Sequence, residues 1–205
     1  MKYQWLGWAK RIQALSQSGL AFSKDKFDIE RYEELRKISA EIISAYTDTK
    51  MEKIPDLFMN ETGYQTPKVD VRGVVFKGEK ILLVHERDDD KWSLPGGYCE
   101  IGSSPSENVV KEVKEESGFQ VHPYKLLAVL DMDKHPHPPH PYQIYKIFIQ
   151  CELLGGKAVG GLETKGVGFF SKDELPPLST PRNTPSQIQM LFEFLRDEEK
   201  PPLFD

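Results

Sequence analysis

The chain has 205 residues, of which 39% are hydrophobic, 11% aromatic and 29% charged, and its formal net charge is −5. This length allows one domain of ordinary size with a smaller appendage, and the composition is that of a folded globular protein. The negative balance supplies no basic surface for DNA, and no apolar run approaches the roughly 20 residues that cross a bilayer. We therefore expect a cytoplasmic protein with no membrane or DNA partner, in which Cys99 and Cys151 are free thiols.

Residues 1–60 are predicted to form a small helical domain with two apolar stripes, and residues 61–68 a polar linker. Asp28 is the predicted N-cap of the second helix. Short helices bury little apolar surface alone, so the stripes should pack against the rest of the chain or a second copy, and we expect a homodimer. The stripes are Trp5, Trp8, Ile12 and Leu15 on the first helix, and Tyr32, Leu35, Ile38, Ile42 and Tyr46 on the second.

Residues 69–205 are predicted to form an α/β domain. The runs VDVRGVVF and ILLVHERD, joined by KGEK, are typical of a β-hairpin. Further strands are predicted from Lys125, Tyr142 and Gly166, and a last helix from Ser186. Strands around one central helix, with another helix at the end, predict an α/β sandwich with a mixed sheet.

The central helix is predicted over residues 105–117 from its end signals. Ser104 is the expected N-cap, Pro105 occupies the first helical position, and Glu107 completes a capping box. Gly118 can adopt the left-handed conformation that ends a helix. These signals are local, so they fix the helix boundaries without knowledge of the rest of the fold.

Three glutamates of this helix, Glu112, Glu115 and Glu116, fall on one face at positions i, i+3 and i+4. Like charges at this spacing repel, and the helix dipole disfavours negative charge near the C-terminal end. One interpretation is a solvated acidic face. The other is a site for a hard cation such as Mg²⁺, which takes oxygen ligands, next to the close-approaching backbone of LPGGY.

The stretch GGYCEIGSSPSENVVKEVKEESGF resembles the Nudix box, in a register that starts at Gly97. Ser103 and Lys111 stand where the family pattern has Glu and Arg. The helical N-terminal residues and the run HPHPPHPYQIYKIF resemble a bacterial Nudix subgroup that is associated with ADP-ribose or CDP-choline type substrates. The matching box residues are Glu112, Val113, Glu115, Glu116 and Gly118, with Phe119 as the final hydrophobic residue.

The resemblance implies a Nudix-type α/β/α sandwich that hydrolyses a nucleoside diphosphate linked to another group X. It also implies Mg²⁺, or Mn²⁺, held by Glu112, Glu116 and the backbone carbonyl of Gly96, with Glu115 as a further ligand and catalytic candidate. Glu163, in the glycine-rich run GGLETKG, is a candidate general base on a mobile loop, although an exposed loop glutamate would look the same. Glu100 is a second candidate base.

The run KHPHPPHPY contains His135, His137 and His140, which suggests a zinc site. A loop that contacts substrate or the dimer partner fits better, because the prolines enforce an extended chain and no cysteine is near. Aromatic residues could stack on a nucleobase, with core packing as the alternative. The predicted substrate-binding residues are Trp92, Tyr98, His137, His140 and Tyr142.

Two other functions are compatible with the same residues. A Nudix-fold sensor would bind a nucleotide without turnover and act through the N-terminal helices, as the changes to Ser103 and Lys111 would allow. An RNA-directed phosphodiesterase would use the same phosphate chemistry, although the chain lacks a basic nucleic-acid footprint.

Overall fold

The computed structural model describes residues 4–47 and 63–205, which divide into two compact units. The first unit contains the described residues up to Pro67 together with Pro139–Gln143, and the second contains Lys68–Pro138 and Ile144–Asp205. A short segment between two strands of the second unit therefore belongs by its packing to the helical unit.

Helices and strands follow one another in an order close to the predicted one. The helices are α1 (Gln4–Phe22), α2 (Lys26–Tyr46), α3 (Pro105–Ser117) and α4 (Pro185–Arg196), with a 3-10 turn at Met132–Lys134. The strands are β1 (Lys68–Lys77), β2 (Lys80–Glu86), β3 (Trp92–Ser93), β4 (Phe119–Asp131), β5 (Ile144–Gly156), β6 (Thr164–Ser171) and β7 (Leu203–Phe204).

The first unit is held together by the packing of α1 on α2. Ala9 and Ile43 are buried against each other, the Ser39 hydroxyl donates to the Ala9 carbonyl at 2.8 Å, and Tyr142 packs on the same cluster. Lys10 Nζ donates to the Tyr142 carbonyl at 3.0 Å, which attaches the 139–143 segment to α1. The helical unit therefore includes part of the β4–β5 connection.

The N-cap of α2 is Asp25, so the assignment of Asp28 to this role was wrong. The Asp25 carboxylate accepts the N–H groups of Phe27 and Asp28, and Asp28 lies inside the first turn. Both aspartates favour a helix start, because negative charge is stabilised there. Only the residue with an extended backbone just before the first turn can satisfy the free N–H groups.

The second unit is built on a mixed sheet with the order β3-β2-β1-β5-β4-β7, and β6 also pairs with β2, antiparallel, outside this linear order. The predicted hairpin is confirmed, since β1 and β2 pair antiparallel at Phe76–Ile81. β1 and β5 run parallel in the centre from Lys68–Ile144 to Val75–Cys151. Parallel central strands are usually covered on both faces, as is the case here.

The side chains of alternate β1 residues point to opposite faces of the sheet. Val71 and Val75 pack with Val109 and Val113 of α3, whereas Val74 packs with Ile188 and other residues of α4. The predicted α/β sandwich with a helix on each face is confirmed. Within the described ranges, no helix has the length and apolar character needed to cross a bilayer.

Candidate active site

Residues 94–97, which we call the glycine loop, lie directly against β1. The Val71 N–H donates to the Gly97 carbonyl at 2.9 Å, and the Gly73 N–H donates to the Pro95 carbonyl at 2.8 Å. Gly96 has φ +143°, and a Cβ at this position would lie 2.0 Å from the Val71 carbonyl oxygen. Only glycine fits this backbone conformation so close to the strand.

Helix α3 presents its glutamates to the glycine loop, and its ends are formed as predicted. Ser104 and Glu107 make a reciprocal capping box, Pro105 begins the helix, and Gly118 closes it in the left-handed conformation at φ +74°. Val109 and Val113 anchor the opposite side of the helix in the core. Caps at both ends and a buried valine face fix the position of the acidic face.

Glu116 is the most tightly held of these glutamates. Its side chain is buried, and its Oε2 accepts the Gly96 N–H at 2.9 Å. Burial raises the pKa of Glu116 to about 8, and Glu86 and Glu112 act in the same direction. Arg72 and the Gly96 N–H oppose this rise. The helix and the glycine loop are thus joined through a buried carboxyl group.

Glu112 lies one helical turn from Glu116 and touches the same loop. A Cβ on Gly97 would be 3.2 Å from Glu112 Oε1, so the carboxylate occupies the space that glycine leaves open. Its side chain is half-buried, and burial raises its pKa, to which Glu115 and Glu163 also contribute. Glu115 itself is exposed. Glu112, Glu116 and the Gly96 backbone therefore converge, while Glu115 lies at the solvent edge.

A buried ion-pair network supports the glycine loop from the side of β1. Asp70 accepts two hydrogen bonds from Arg72, at 2.9 and 2.6 Å, and one from Lys146 at 3.2 Å. Arg72 also donates to the Leu94 carbonyl at 3.2 Å. Burial lowers the pKa of Lys146 to about 8, since it disfavours the charged amine. The network places a buried cation, Arg72, in the field of both Glu112 and Glu116.

The loop that carries Glu163 is fastened to the C-terminal end of α3. The Thr164 hydroxyl donates to the Glu116 carbonyl at 2.7 Å, and the Val159 N–H donates to the Ser117 carbonyl at 3.0 Å. The Glu163 carbonyl accepts the Arg87 N–H at 3.0 Å, while its side chain is exposed. Glu163 therefore lies on an anchored segment, close enough for its charge to raise the pKa of Glu112.

The two departures from the box pattern have local partners of their own. Lys111 forms an ion pair with Glu100 at 2.6 Å, so a cation at this position pairs with the loop before α3. Asn108 accepts the Glu100 N–H at 2.9 Å and donates to the carbonyls of Ser103 and Ser104. The Glu100 side chain is thus paired with Lys111. Position 103 is a serine, and the hydrogen bonds that hold the loop before α3 come from the Asn108 side chain.

The predicted substrate-binding aromatics of the second unit differ in how accessible they are. Trp92 is stacked on His85, with ring centroids 4.7 Å apart, and meets the edge of Phe170 at 4.7 Å. Tyr98 is exposed and follows the glycine loop, and its backbone bridges to Asp70 of β1. The Tyr98 ring is therefore accessible beside the site, whereas the Trp92 ring packs against His85 and Phe170.

The three remaining predicted substrate-binding residues do not all belong to the same unit. His137 belongs to the second unit, where its Nδ1 lies 2.7 Å from the Thr180 carbonyl and burial lowers its pKa to about 4. His140 and Tyr142 belong to the helical unit and contact each other with ring centroids 5.5 Å apart. The structure thus joins His137 to the segment before α4 and joins the other two to the helices.

Comparison with known proteins identifies both parts of the chain. The NUDIX domain model matches residues 66–194, and a model described as a UDP-X-like, N-terminal oligomerisation domain matches residues 3–58. The chain belongs to the Nudix family. The predictions of a Nudix fold and of a Nudix hydrolase acting on nucleoside diphosphate-linked moieties are confirmed at this level.

Several relatives of this Nudix protein match it over most of their length. YjhB of Bacillus subtilis (strain 168), provisionally named an ADP-ribose pyrophosphatase, is 58% identical over 98% of this chain and 97% of its own. A crystal structure of a Streptococcus suis 89-1591 ADP-ribose pyrophosphatase is 46% identical, with a TM-score of 0.63, over 68% of this chain and 100% of that one. The crystal structure of a UDP-X diphosphatase is 35% identical, with a TM-score of 0.64, over 98% of each chain.

The converging groups of this Nudix site fit a hard divalent cation. Glu112 and Glu116 offer carboxylate oxygens from a capped helix, beside the glycine loop whose Gly96 carbonyl is the backbone ligand that the resemblance implies. Among residues 4–47 and 63–205, no three His, Cys, Asp or Glu side chains are arranged to hold a metal by themselves. Mg²⁺ is commonly bound by one or two carboxylates together with waters and substrate phosphates, which agrees with this donor set.

Sequence reasoning missed the support behind the Nudix site, namely Arg72, Lys146 and Asn183. The run VDVRG carried a usable signal, because opposite charges two residues apart share one face of a strand predicted to be buried. Such charges need a partner when they are buried. Asn183 gave no signal in the sequence, because its partner, the Leu94 N–H, is 89 residues away.

Proposed function

We propose that this Nudix hydrolase cleaves the pyrophosphate of a nucleoside diphosphate linked to X, with Mg²⁺ (or Mn²⁺) as cofactor and ADP-ribose or a CDP-choline type compound as substrate. The observation that carries the proposal is that Glu116 and Glu112 both meet the glycine loop, Glu116 at the Gly96 N–H and Glu112 beside Gly97. The names of the Bacillus and Streptococcus relatives favour ADP-ribose, and the UDP-X diphosphatase widens the choice of base.

In this proposal each residue of the site has a defined role. Glu116 and Glu112 supply charged oxygens, and the hydrogen bond from Gly96 N–H keeps the Glu116 carboxylate turned towards the glycine loop. A bound divalent metal neutralises phosphate oxygens and lowers the pKa of water. Glu163, exposed on its anchored loop, accepts the proton of the attacking water. One P–O bond forms and one breaks, which gives a nucleoside monophosphate and phosphorylated X.

A substrate panel tests this proposal directly. We expect kcat/KM for ADP-ribose or CDP-choline to exceed that for the common nucleoside triphosphates by about tenfold or more, equivalent to about 1.4 kcal/mol of transition-state preference. The reason is that a triphosphate brings extra negative charge to a chain whose net charge is −5. Initial rates with Mg²⁺ should be compared for ADP-ribose, CDP-choline, UDP-sugars, triphosphates and short RNA.

A triphosphate that leads this ranking by about tenfold would contradict the substrate proposal. Cleavage of RNA ahead of all the nucleotides would support the phosphodiesterase alternative. Tight binding of a nucleotide derivative with no turnover of any compound would instead identify the sensor. Each outcome leaves the Nudix fold unaffected, so the panel separates function from family.

We also propose that the protein is a homodimer joined through its N-terminal helices. Trp8, Leu15 and Phe22 recur every seven residues on α1 and are 53%, 65% and 71% exposed, so they form an unburied apolar stripe. The oligomerisation domain model covers this region. A cytoplasmic location fits the nucleotide-type substrate and the free thiols of Cys99 and Cys151.

Leu15→Glu should convert the dimer into a monomer, because a charge in the middle of the stripe would have to be buried without a partner. Leu154→Glu is a matched control, since Leu154 on β5 is 63% exposed but lies outside the helical unit. Multi-angle light scattering at micromolar concentration should give a dimer mass for the wild type and for L154E, and a monomer mass for L15E. A monomeric wild-type protein would exclude the proposed assembly.

A further inference from the structure

Both backbone polar groups of Leu94, the first residue of the glycine loop, are bonded by buried side chains from distant parts of the chain. The Leu94 N–H donates to Asn183 Oδ1 at 2.8 Å, and its carbonyl accepts from Arg72 Nη1 at 3.2 Å. Asn183 lies just before α4 and is fully buried, and Arg72 lies on β1 and is 4% exposed. The peptide planes on either side of Leu94 are therefore fixed by residues outside the box.

The rest of the loop is fastened in the same way. The Pro95 and Gly97 carbonyls accept β1 N–H groups, and the Gly96 N–H donates to Glu116. Within residues 63–205, the backbone polar atoms of the loop that remain without a hydrogen bond are the Gly96 carbonyl oxygen and the Gly97 N–H. The peptide planes before and after the Gly96–Gly97 peptide are thus held by hydrogen bonds, and the Gly96 carbonyl itself is left available to a ligand.

We propose that Asn183 and Arg72 are positioning residues that hold Leu94 and thereby aim the Gly96 carbonyl and the Gly96 N–H at the metal-binding side of the site. The inference rests on the proposed function in one respect, because it takes Gly96 and Glu116 to be where the metal binds. Neither residue touches the reacting atoms. Both act through the backbone of the loop.

The surroundings of the two side chains suit this role. The Arg72 guanidinium donates two hydrogen bonds to Asp70, which restrict its rotation away from the Leu94 carbonyl. Lys146 donates a further hydrogen bond to Asp70 and fixes the position of that carboxylate. Asn183 uses only its carbonyl oxygen, since its Nδ2 has no partner in the described part of the chain. An acceptor of the same shape at position 183 should therefore suffice, which makes the role testable.

A neighbouring amide provides a matched control. Gln187 is 2% exposed, its Oε1 accepts the Thr184 N–H at 3.0 Å, and its Nε2 also lacks a partner among the residues described. Its hydrogen bond closes the cap of α4 and does not reach the glycine loop. Asn183→Leu and Gln187→Leu each remove one buried acceptor, but only the first releases Leu94.

The experiment measures Mn²⁺ binding to the full-length, metal-free protein by electron paramagnetic resonance, and kcat and KM with ADP-ribose. N183L should weaken Mn²⁺ binding by about tenfold or more and lower kcat, as loss of a residue that orients a metal ligand does. N183D keeps the acceptor, and because burial at this position favours the uncharged carboxyl, it should bind Mn²⁺ within about threefold of the wild type. Q187L should lose thermal stability yet bind Mn²⁺ like the wild type.

A folded N183L protein with wild-type Mn²⁺ affinity would overturn the inference, as would an equal loss of affinity in Q187L. If N183L does not fold, Arg72→Lys gives the same test, because lysine lacks the fork that spans Asp70 and the Leu94 carbonyl. Hydrolysis of no compound by a wild-type protein that binds Mn²⁺ refutes the proposed function alone. Normal hydrolysis by N183L refutes only this inference.

Discussion

Replacing Glu116 with glutamine should lower kcat by about a thousand-fold or more, equivalent to about 4 kcal/mol, while the protein stays folded. Glutamine has the shape of glutamate, and its amide oxygen can still accept the Gly96 N–H. It cannot supply the negative charge that a divalent cation requires. Because burial of a carboxylate costs free energy, the uncharged side chain should not destabilise the metal-free protein.

Initial rates with saturating Mg²⁺ and thermal melts in a chelator would measure the two effects separately. Glu193→Gln is the control, because Glu193 is an exposed helical glutamate on α4 that pairs with Lys200, away from the box. Its rate should equal that of the wild type. Glu115→Gln should cost much less than E116Q, since the Glu115 side chain is exposed. A folded E116Q protein with near-normal turnover would remove Glu116 from the site.

Gly96→Ala should lower the free energy of unfolding by about 3–5 kcal/mol, which is the largest stability effect we expect from a single added methyl group. The new Cβ would lie 2.0 Å from the Val71 carbonyl oxygen and 2.9 Å from Arg72 Cα, so the loop would have to leave β1. The backbone angle φ of +143° is unfavourable for alanine as well. Denaturant titration of the metal-free protein measures this loss.

Gly78→Ala is the matched variant for this comparison. Gly78 also has a positive φ, +59°, but no atom lies within 4 Å of the Cβ position, so only the conformational cost of about 1–2 kcal/mol applies. The difference between the two variants isolates the contact between the loop and β1. Equal destabilisation of G96A and G78A would show that the glycine loop can move off the strand without cost.

The sequence predicted best where the determining interactions are local. The ends of α3 follow from Ser104, Glu107 and Gly118, which bond within a few residues of one another, and the β1–β2 hairpin follows from a short turn. The two-residue strands β3 and β7 were missed, because so short a run has no periodicity of its own. β4 begins at Phe119 and not at Lys125, since pairing with β5 extends it past Pro123.

The candidate site divides in the same way. Glu112 and Glu116 were predictable because one helix sets their spacing, and the box pattern added Gly96. The supporting residues Arg72 and Asn183 were not, because they meet Leu94 only after β1 and the segment before α4 come together. The role of Tyr142 as a stacking surface for substrate stays a prediction, and its packing partners in the helical unit could not be read from its aromatic character alone.

The parallel pairing of β1 with β5 also has a consequence for how the protein is made. Paired residues of the two strands are 76 positions apart, as for Asp70 and Lys146. At a synthesis rate of roughly 5–20 residues per second, β1 leaves the ribosome about 4–15 s before β5, the strand that pairs with one of its edges. During that interval Val71, Val74, Val75 and the charges of Asp70 and Arg72 lack their final surroundings. β1 therefore remains without this partner even after the whole box has been synthesised.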